Sequence, residues 1–125
     1  RRMHEAKMRG EGAVTLWGTG TPRREFLHVD DLAQALLFLM ASYSDESHVN
    51  VGVGEDLTIR ELAETVRRVV RFEGELVFDD SKPDGTPRKL VDTTLINRLG
   101  WRAQIPLEQG LVQAYRWFVD HAERL

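Results

Sequence analysis

The sequence of 125 residues contains no cysteine and no long apolar run. Without cysteine, the chain has no disulfide, no thiolate nucleophile and no cysteine-based zinc site, and this absence fits a cytoplasmic protein. No apolar stretch approaches the roughly 20 residues that a membrane-spanning helix needs. The sequence therefore predicts neither a disulfide scaffold nor thiol chemistry, and it predicts no helical membrane segment.

An excess of positive charge is also lacking, because 17 lysines and arginines stand against 20 acidic residues, for a net charge of −3. Such a chain has no overall attraction to nucleic acids or to anionic membranes. The histidines at positions 4, 28, 48 and 121 do not have the spacing of metal ligands. We therefore expect no nucleic acid, membrane or metal as a partner, and we expect His28 to be a hydrogen-bonded packing residue.

The first residues, RRMHEAK, carry two positive charges that no apolar segment follows, so they do not form a signal peptide. They are typical of the middle of a helix, without an N-terminal cap. We therefore expect the chain to be part of a longer protein. Its length fits a single domain over residues 1–125.

Helical and strand patterns alternate along the chain, which favours an α/β fold. Helices are predicted over 1–10, from a cap at Asp30 or Asp31 to 42, over 59–70 behind a Thr58–Glu61 capping box, from a cap at Asp92 to 99, and from 106 onward. Strands are predicted over 14–17, 24–29, 49–54 and 75–79. Among the large aromatic residues, Trp101, Trp117 and Phe118 are expected in the core.

Two loops combine cations with residues that fix a turn. In the first, Trp17 is followed by Gly-Thr-Gly-Thr-Pro and then by Arg23 and Arg24. Glycine lets the backbone approach a ligand closely, guanidinium groups pair with phosphate, and an indole covers a ring. The segment is not a P-loop, because the Lys-Ser/Thr of that motif is missing. The alternative is a hairpin tip with solvated arginines and a packed tryptophan, which composition alone favours.

The second loop, residues 82–89, reads KPDGTPRK. Asp84 can accept hydrogen bonds from sugar hydroxyls, and Lys89 can reach a phosphate. The alternative is a surface turn whose charges serve solubility. Together, the two loops contain the groups that hold a nucleotide diphosphate and its sugar.

Both loops resemble signatures of the GDP-L-fucose synthases, the NADP-dependent GDP-4-keto-6-deoxy-D-mannose 3,5-epimerase/4-reductases of the extended short-chain dehydrogenase/reductase group. The likeness extends over essentially the whole chain, through residues 1–6, 51–62, 99–101 and 115–118. It implies an α/β, C-terminal substrate-binding domain that lacks the N-terminal Rossmann domain. It also implies a set of GDP-sugar contacts, with Arg24 and Lys89 at the diphosphate and no role carried over to Arg23: Arg2, Trp17, Arg24, Asp84 and Lys89.

The chain departs from that family in its catalytic groups. It has no cysteine for the epimerase step and no glycine-rich turn that opens a helix. Tyr43 and Tyr115 have Ser47 and Val119 four residues on, where a Tyr-x-x-x-Lys pair needs lysine. We therefore expect no catalytic residue and no bound cofactor in this chain alone, and no activity without the part that binds NADP(H).

Two other interpretations stay open. The apolar helix over 32–40 and the strand over 49–53 would pack against a missing Rossmann half, and their exposed surface would otherwise drive self-association of a non-catalytic module. Alternatively, the chain is the C-terminal part of another nucleotide-sugar epimerase or reductase, since the sequence does not reveal the choice of base.

Overall fold

The structure, a computed structural model, describes residues 1–121, along which helices and strands alternate. This confirms the predicted α/β class. The elements, in chain order, are α1 (Arg2–Arg9), β1 (Ala13–Trp17), β2 (Arg23–Arg24), α2 (Val29–Ser42), β3 (Leu57–Thr58), α3 (Ile59–Val70), β4 (Glu75–Asp79), β5 (Arg88–Lys89), α4 (Thr94–Leu99) and α5 (Leu107–His121).

Strands β1 and β4 form a parallel pair whose register runs from Ala13 opposite Glu75 to Trp17 opposite Asp79. Helices α1 and α3 contact each other, and α1 also contacts β1. The buried apolar side chains of this region form one core, which excludes water from the strand pair: Met3, Ala6, Val14, Ala63, Val70 and Phe72.

A second core, separate from the first, surrounds Ala35, Ile96 and Trp101. It is joined to the rest of the chain by Asp31, which is 1% exposed. The Asp31 carboxylate accepts hydrogen bonds from the backbone N–H groups of Gln104 (3.1 Å) and Ile105 (2.9 Å). A buried carboxylate needs such donors, so Asp31 fixes the start of α2 against the segment before α5.

The prediction of a strand over 24–29 and of an aspartate cap was wrong. Strand β2 is only two residues long, and α2 begins at Val29. Its N-cap is His28, whose Nδ1 accepts from the Asp30 N–H at 3.2 Å. An imidazole nitrogen here does the work expected of a carboxylate, because Asp31 is engaged by the distant segment before α5. The expectation that His28 forms a hydrogen bond is confirmed.

The predicted strand over 49–54 is also absent from the described structure. Its glycines face a side chain, since the Gly54 N–H donates to Glu25 Oε1 at 2.6 Å. A Cβ added to Gly52 would lie 2.5 Å from the same oxygen. The segment is therefore held by a carboxylate rather than by a neighbouring strand.

Other predictions divide by region. The Thr58–Glu61 capping box, the strand over 75–79 and the Asp92 contact to the Thr94 N–H are confirmed. Trp101 is buried as expected, whereas Trp117 is 56% exposed, so its assignment to the core was wrong. Within residues 1–121, no helix has both the length and the apolarity to cross a bilayer.

Candidate functional site

The first loop turns tightly at two glycines directly after β1. The Gly18 N–H donates to the Asp79 carbonyl at 2.8 Å, which extends the β1–β4 ladder by one bond. Gly18 and Gly20 have φ values of 82° and 77°, in the left-handed region that glycine tolerates without strain. A Cβ on Gly20 would lie 2.4 Å from the Phe78 ring. The turn therefore requires glycine for both its backbone angles and its close packing.

Asp84 joins the second loop to the first. Its Oδ1 accepts from the Thr19 N–H at 2.9 Å, and its Oδ2 accepts from the Thr19 hydroxyl at 2.6 Å. A Cβ on Gly18 would lie 2.3 Å from Oδ1, so the carboxylate sits where only glycine leaves room. The two sequence loops, 65 residues apart, consequently form one structure.

A third element, α3, supports the same turn through Arg60. The Arg60 guanidinium donates to the Thr19 carbonyl at 2.9 Å and lies 3.8 Å above the centre of the Phe78 ring. Cation–π contact of this kind adds to the hydrogen bond. Sequence reasoning missed Arg60, because its only local signal was a position inside a capping box.

Between the two loops lies an open cleft of about 100 Å³. Its walls are formed by Trp17, Gly20, Pro22, Arg24, Ile59, Pro83, Asp84 and Gly85. Trp17 is 73% exposed, so its ring is open to solvent on the cleft wall. The Arg24 guanidinium donates to the Arg23 carbonyl at 2.7 Å and lies beside Gly85, where an added Cβ would be 3.2 Å from Nη2. Three of the five predicted contacts thus share this cleft.

The other two predicted residues, Arg2 and Lys89, lie outside the cleft lining. The Arg2 guanidinium donates to the Thr15 carbonyl, two residues before Trp17 on β1. Lys89, on β5, is paired in register with Arg24 on β2. Paired residues of adjacent strands face the same side of a sheet, so the register places Lys89 next to Arg24.

The opposite face of the same strands carries a compact ion cluster. Arg23 and Arg88, also paired in register, both donate to Asp56, whose side chain is only 4% exposed. The hydrogen bonds from Arg88 and then Arg23 hold the pKa of the Asp56 carboxyl below its ordinary value. Sequence reasoning gave Arg23 no role and did not single out Asp56, because the cluster needs three separate segments to meet.

Charge is therefore distributed unevenly over the two faces. The Arg23–Arg88 pair is neutralised in part by Asp56, whereas neither Arg24 nor Lys89 has an ion pair with any carboxylate of residues 1–121. Two adjacent cations, an exposed indole and a carboxylate around one cleft can bind an anion that carries a ring. The same part of the chain has no cluster of histidine and acidic residues that could hold a metal ion.

Comparison with known proteins identifies the family. The family model described as the NAD dependent epimerase/dehydratase family matches residues 1–52. The chain is 56% identical over 121 residues to the GDP-L-fucose synthase 1 of Arabidopsis thaliana, covering 97% of this chain and 38% of that protein. It is 50% identical to the GDP-L-fucose synthase of Escherichia coli K12, covering 99% of this chain and 41% of that protein.

A solved structure agrees with these relatives. The crystal structure of a GDP-L-fucose synthetase from Naegleria fowleri bound to NADP superposes with a TM-score of 0.90 at 30% identity. The superposition covers 98% of this chain but only 39% of that one. The chain thus spans about two fifths of the length of the proteins it matches. It belongs to the NAD-dependent epimerase/dehydratase family of extended short-chain dehydrogenases/reductases, and it corresponds to the C-terminal part of GDP-L-fucose synthases.

Proposed function

We propose that residues 1–125 form one domain that binds the GDP-sugar substrate of an NADP-dependent GDP-L-fucose synthase. The observation that carries this proposal is the meeting of Trp17, Arg24 and Asp84 on the walls of one cleft. The relatives named GDP-L-fucose synthase supply the substrate class. The chain alone, with less than half of their length, would bind the substrate without converting it.

Each predicted contact has a proposed role. The Arg24 guanidinium pairs with the diphosphate, and the Lys89 ammonium lies next to it along the sheet. The exposed Trp17 ring covers a base or sugar face. Asp84 uses one lone pair of each oxygen on Thr19, and a carboxylate oxygen has a second for a sugar hydroxyl. Arg2 holds the strand that carries Trp17 and extends the positive surface.

The described residues do not provide a dinucleotide site of their own. A dinucleotide-binding turn leads into a helix whose N-terminus faces the pyrophosphate. Here the Gly18–Gly20 turn leads into the two-residue strand β2. We therefore assign NADP(H), which supplies hydride in the reductase reaction, to a Rossmann domain outside this chain.

The exposed face of α2 is the proposed contact with that domain. Val29, Leu36, Leu37 and Met40 are between 53% and 83% exposed. A row of large apolar side chains in water favours association. In the absence of the Rossmann half, the same face is expected to drive self-association. Sedimentation tests this second function: Leu37→Glu should shift an associating chain toward monomer, and a wild-type monomer at all concentrations would remove it.

Calorimetric titration of the chain with GDP-mannose tests the substrate proposal. Saturable binding is expected, and Arg24→Gln should weaken it by about tenfold or more, since a charge-assisted hydrogen bond contributes about 1.5–3 kcal/mol. Arg102→Gln is the matched control, because it removes the same charge outside the cleft lining. Absence of saturation at millimolar ligand would contradict the proposal.

The nucleotide base is tested in the same way. GDP should bind more tightly than UDP or dTDP, because the relatives act on GDP-sugars. Equal affinities would instead support the C-terminal part of another nucleotide-sugar epimerase or reductase.

A further inference from the structure

Strands β2 and β5 place four cations on two neighbouring rungs. Arg23 is opposite Arg88, and Arg24 is opposite Lys89. Like charges directly opposite each other on a sheet repel, and successive rungs face opposite sides. Each face of this short sheet therefore carries one pair of cations, and each pair tends to push the two strands apart.

The first rung is held together by Asp56, which directly precedes β3. Asp56 Oδ1 accepts from Arg23 Nε at 2.8 Å, and Oδ2 accepts from Arg88 Nε. The Asp56 backbone carbonyl adds a bond from Arg23 Nη2 at 3.0 Å. With its side chain 4% exposed, this carboxylate joins all three strands from one side.

The backbone alone gives these strands little support. Each of β2, β3 and β5 is two residues long. An Arg23 N–H bond to the Pro87 carbonyl, 2.8 Å long, is one of the few backbone ties at this junction. A short sheet with two cation pairs needs a side-chain contact to keep its register, and Asp56 makes it.

We propose that Asp56 is a positioning residue for diphosphate binding: by holding the Arg23–Arg88 rung, it keeps Arg24 and Lys89 side by side on the opposite face. This inference rests on the proposed function, in which those two cations contact a nucleoside diphosphate. Asp56 itself faces away from the cleft and is not among its lining residues.

Simple electrostatics and positioning predict opposite signs for one substitution. Asp56→Asn removes a negative charge near the site, which by Coulomb attraction alone would strengthen the binding of an anion. If Asp56 acts through the sheet, the same change loosens Arg88 and with it Lys89, and binding becomes weaker. The direction of the affinity change therefore separates the two explanations.

The test is a titration of the 125-residue chain with GDP-mannose. Asp56→Asn should weaken binding by about fivefold or more, in line with the loss of a charge-assisted bond. Asp80→Asn, the matched control in an exposed turn with the same charge change, should leave affinity unchanged or slightly tighter. Asp56→Glu, which keeps the carboxylate, should recover most of the wild-type affinity. Unchanged or tighter binding by Asp56→Asn would overturn the proposal.

Amide hydrogen exchange gives a readout that needs no ligand. In Asp56→Asn, the amides of Arg23, Arg24 and Lys89 should exchange faster, while those of the β1–β4 pair stay protected. Equal exchange at both sheets in variant and wild type would also overturn the proposal. If Asp56→Asn does not fold, Asp56→Glu carries both measurements, with a smaller loss of protection and affinity expected and wild-type values in both counting against the inference.

The outcomes separate this inference from the proposed function. A wild-type chain that does not bind GDP-mannose removes the substrate role and the inference together. A wild-type chain that binds, with an Asp56→Asn variant that binds equally well, removes the inference alone.

Discussion

The two sheets of this domain are held together by different forces. The β1–β4 pair has five rungs of backbone register and a continuous apolar core beneath it. The β3–β2–β5 sheet has two rungs on each side and is held by carboxylates that reach across the chain. Asp56 bonds the arginines of this sheet, Glu25 bonds the Gly54 and Val91 N–H groups, and Asp84 bonds Thr19. The scaffold rests on burial, and the candidate site rests on individual hydrogen bonds.

This difference makes the site region the more sensitive to single polar substitutions. A carboxylate whose partners are backbone N–H groups or guanidinium groups leaves those donors unsatisfied when it is removed. Apolar substitutions in the scaffold, in contrast, lower the stability of the whole domain in proportion to the cavity they create. The following predictions test this division, from the largest expected effect to the smallest.

The largest effect should come from the scaffold core. Phe72 is 5% exposed and packs among the buried residues of the first core. Phe72→Ala should lower the free energy of unfolding by about 3–5 kcal/mol, the usual cost of removing a buried aromatic ring. Urea denaturation measures this, with exposed Glu73→Ala as the control. A loss below about 1 kcal/mol would show that burial at this sheet matters less than we infer.

The next effect concerns Asp31, whose carboxylate binds two backbone N–H groups. Asp31→Ala should destabilise the domain by about 2–4 kcal/mol, because it leaves both donors buried without an acceptor. Asp30→Ala, one residue earlier and exposed, should cost about 0.5 kcal/mol through the helix dipole. Similar losses in the two variants, measured by urea denaturation, would contradict the structural role of Asp31.

A smaller effect is expected at the turn of the site. Gly20→Ala puts a Cβ at a positive φ and against the Phe78 ring, which should cost about 1–2 kcal/mol. Gly12→Ala is the control, because a Cβ there meets no atom within 4 Å and the residue has no positive φ. If the loop is rigid, Gly20→Ala should also weaken GDP-mannose binding more than Gly12→Ala does. Equal stabilities of the two variants would argue against a fixed turn.

The last effect is a pH dependence. The pKa of Asp56 is lowered by its bonds to Arg88 and Arg23, and the pKa of Glu61 is lowered by the Thr58 backbone and hydroxyl. A carboxyl with a lowered folded-state pKa stabilises the fold above its ordinary pKa, and this stabilisation is lost as the pH falls. Thermal unfolding should therefore shift downward below about pH 4. Asp56→Asn should show a shallower decline over that range, and an identical slope would contradict this assignment.

How far the sequence predicted the structure follows the same division. The β4 strand, the Thr58–Glu61 capping box and the α4 stop at Gly100 depend on contacts within a few residues, so pattern alone found them. The short strands β2, β3 and β5 depend on partners far along the chain, and the sequence gave no local sign of them. The aspartate cap failed for the same reason, since Asp31 binds Gln104, 73 residues away.

The candidate site was predictable in its chemistry but not in its assembly. Cations next to glycine and proline turns indicated phosphate binding, and Trp17, Arg24 and Asp84 do share a cleft. What the pattern did not contain was the support: Arg60 on the Thr19 carbonyl and Asp56 between two arginines. These contacts join residues 32 to 41 positions apart, beyond the reach of motif spacing.

The central claim is that the two loops form one site for a nucleoside diphosphate sugar, and amide NMR during a GDP-mannose titration tests it most directly. The account predicts saturable shifts confined to residues 17–24 and 82–89, with the α1 and α4 amides unmoved. Shifts absent from those two loops, or concentrated on α1 or α4, would contradict it.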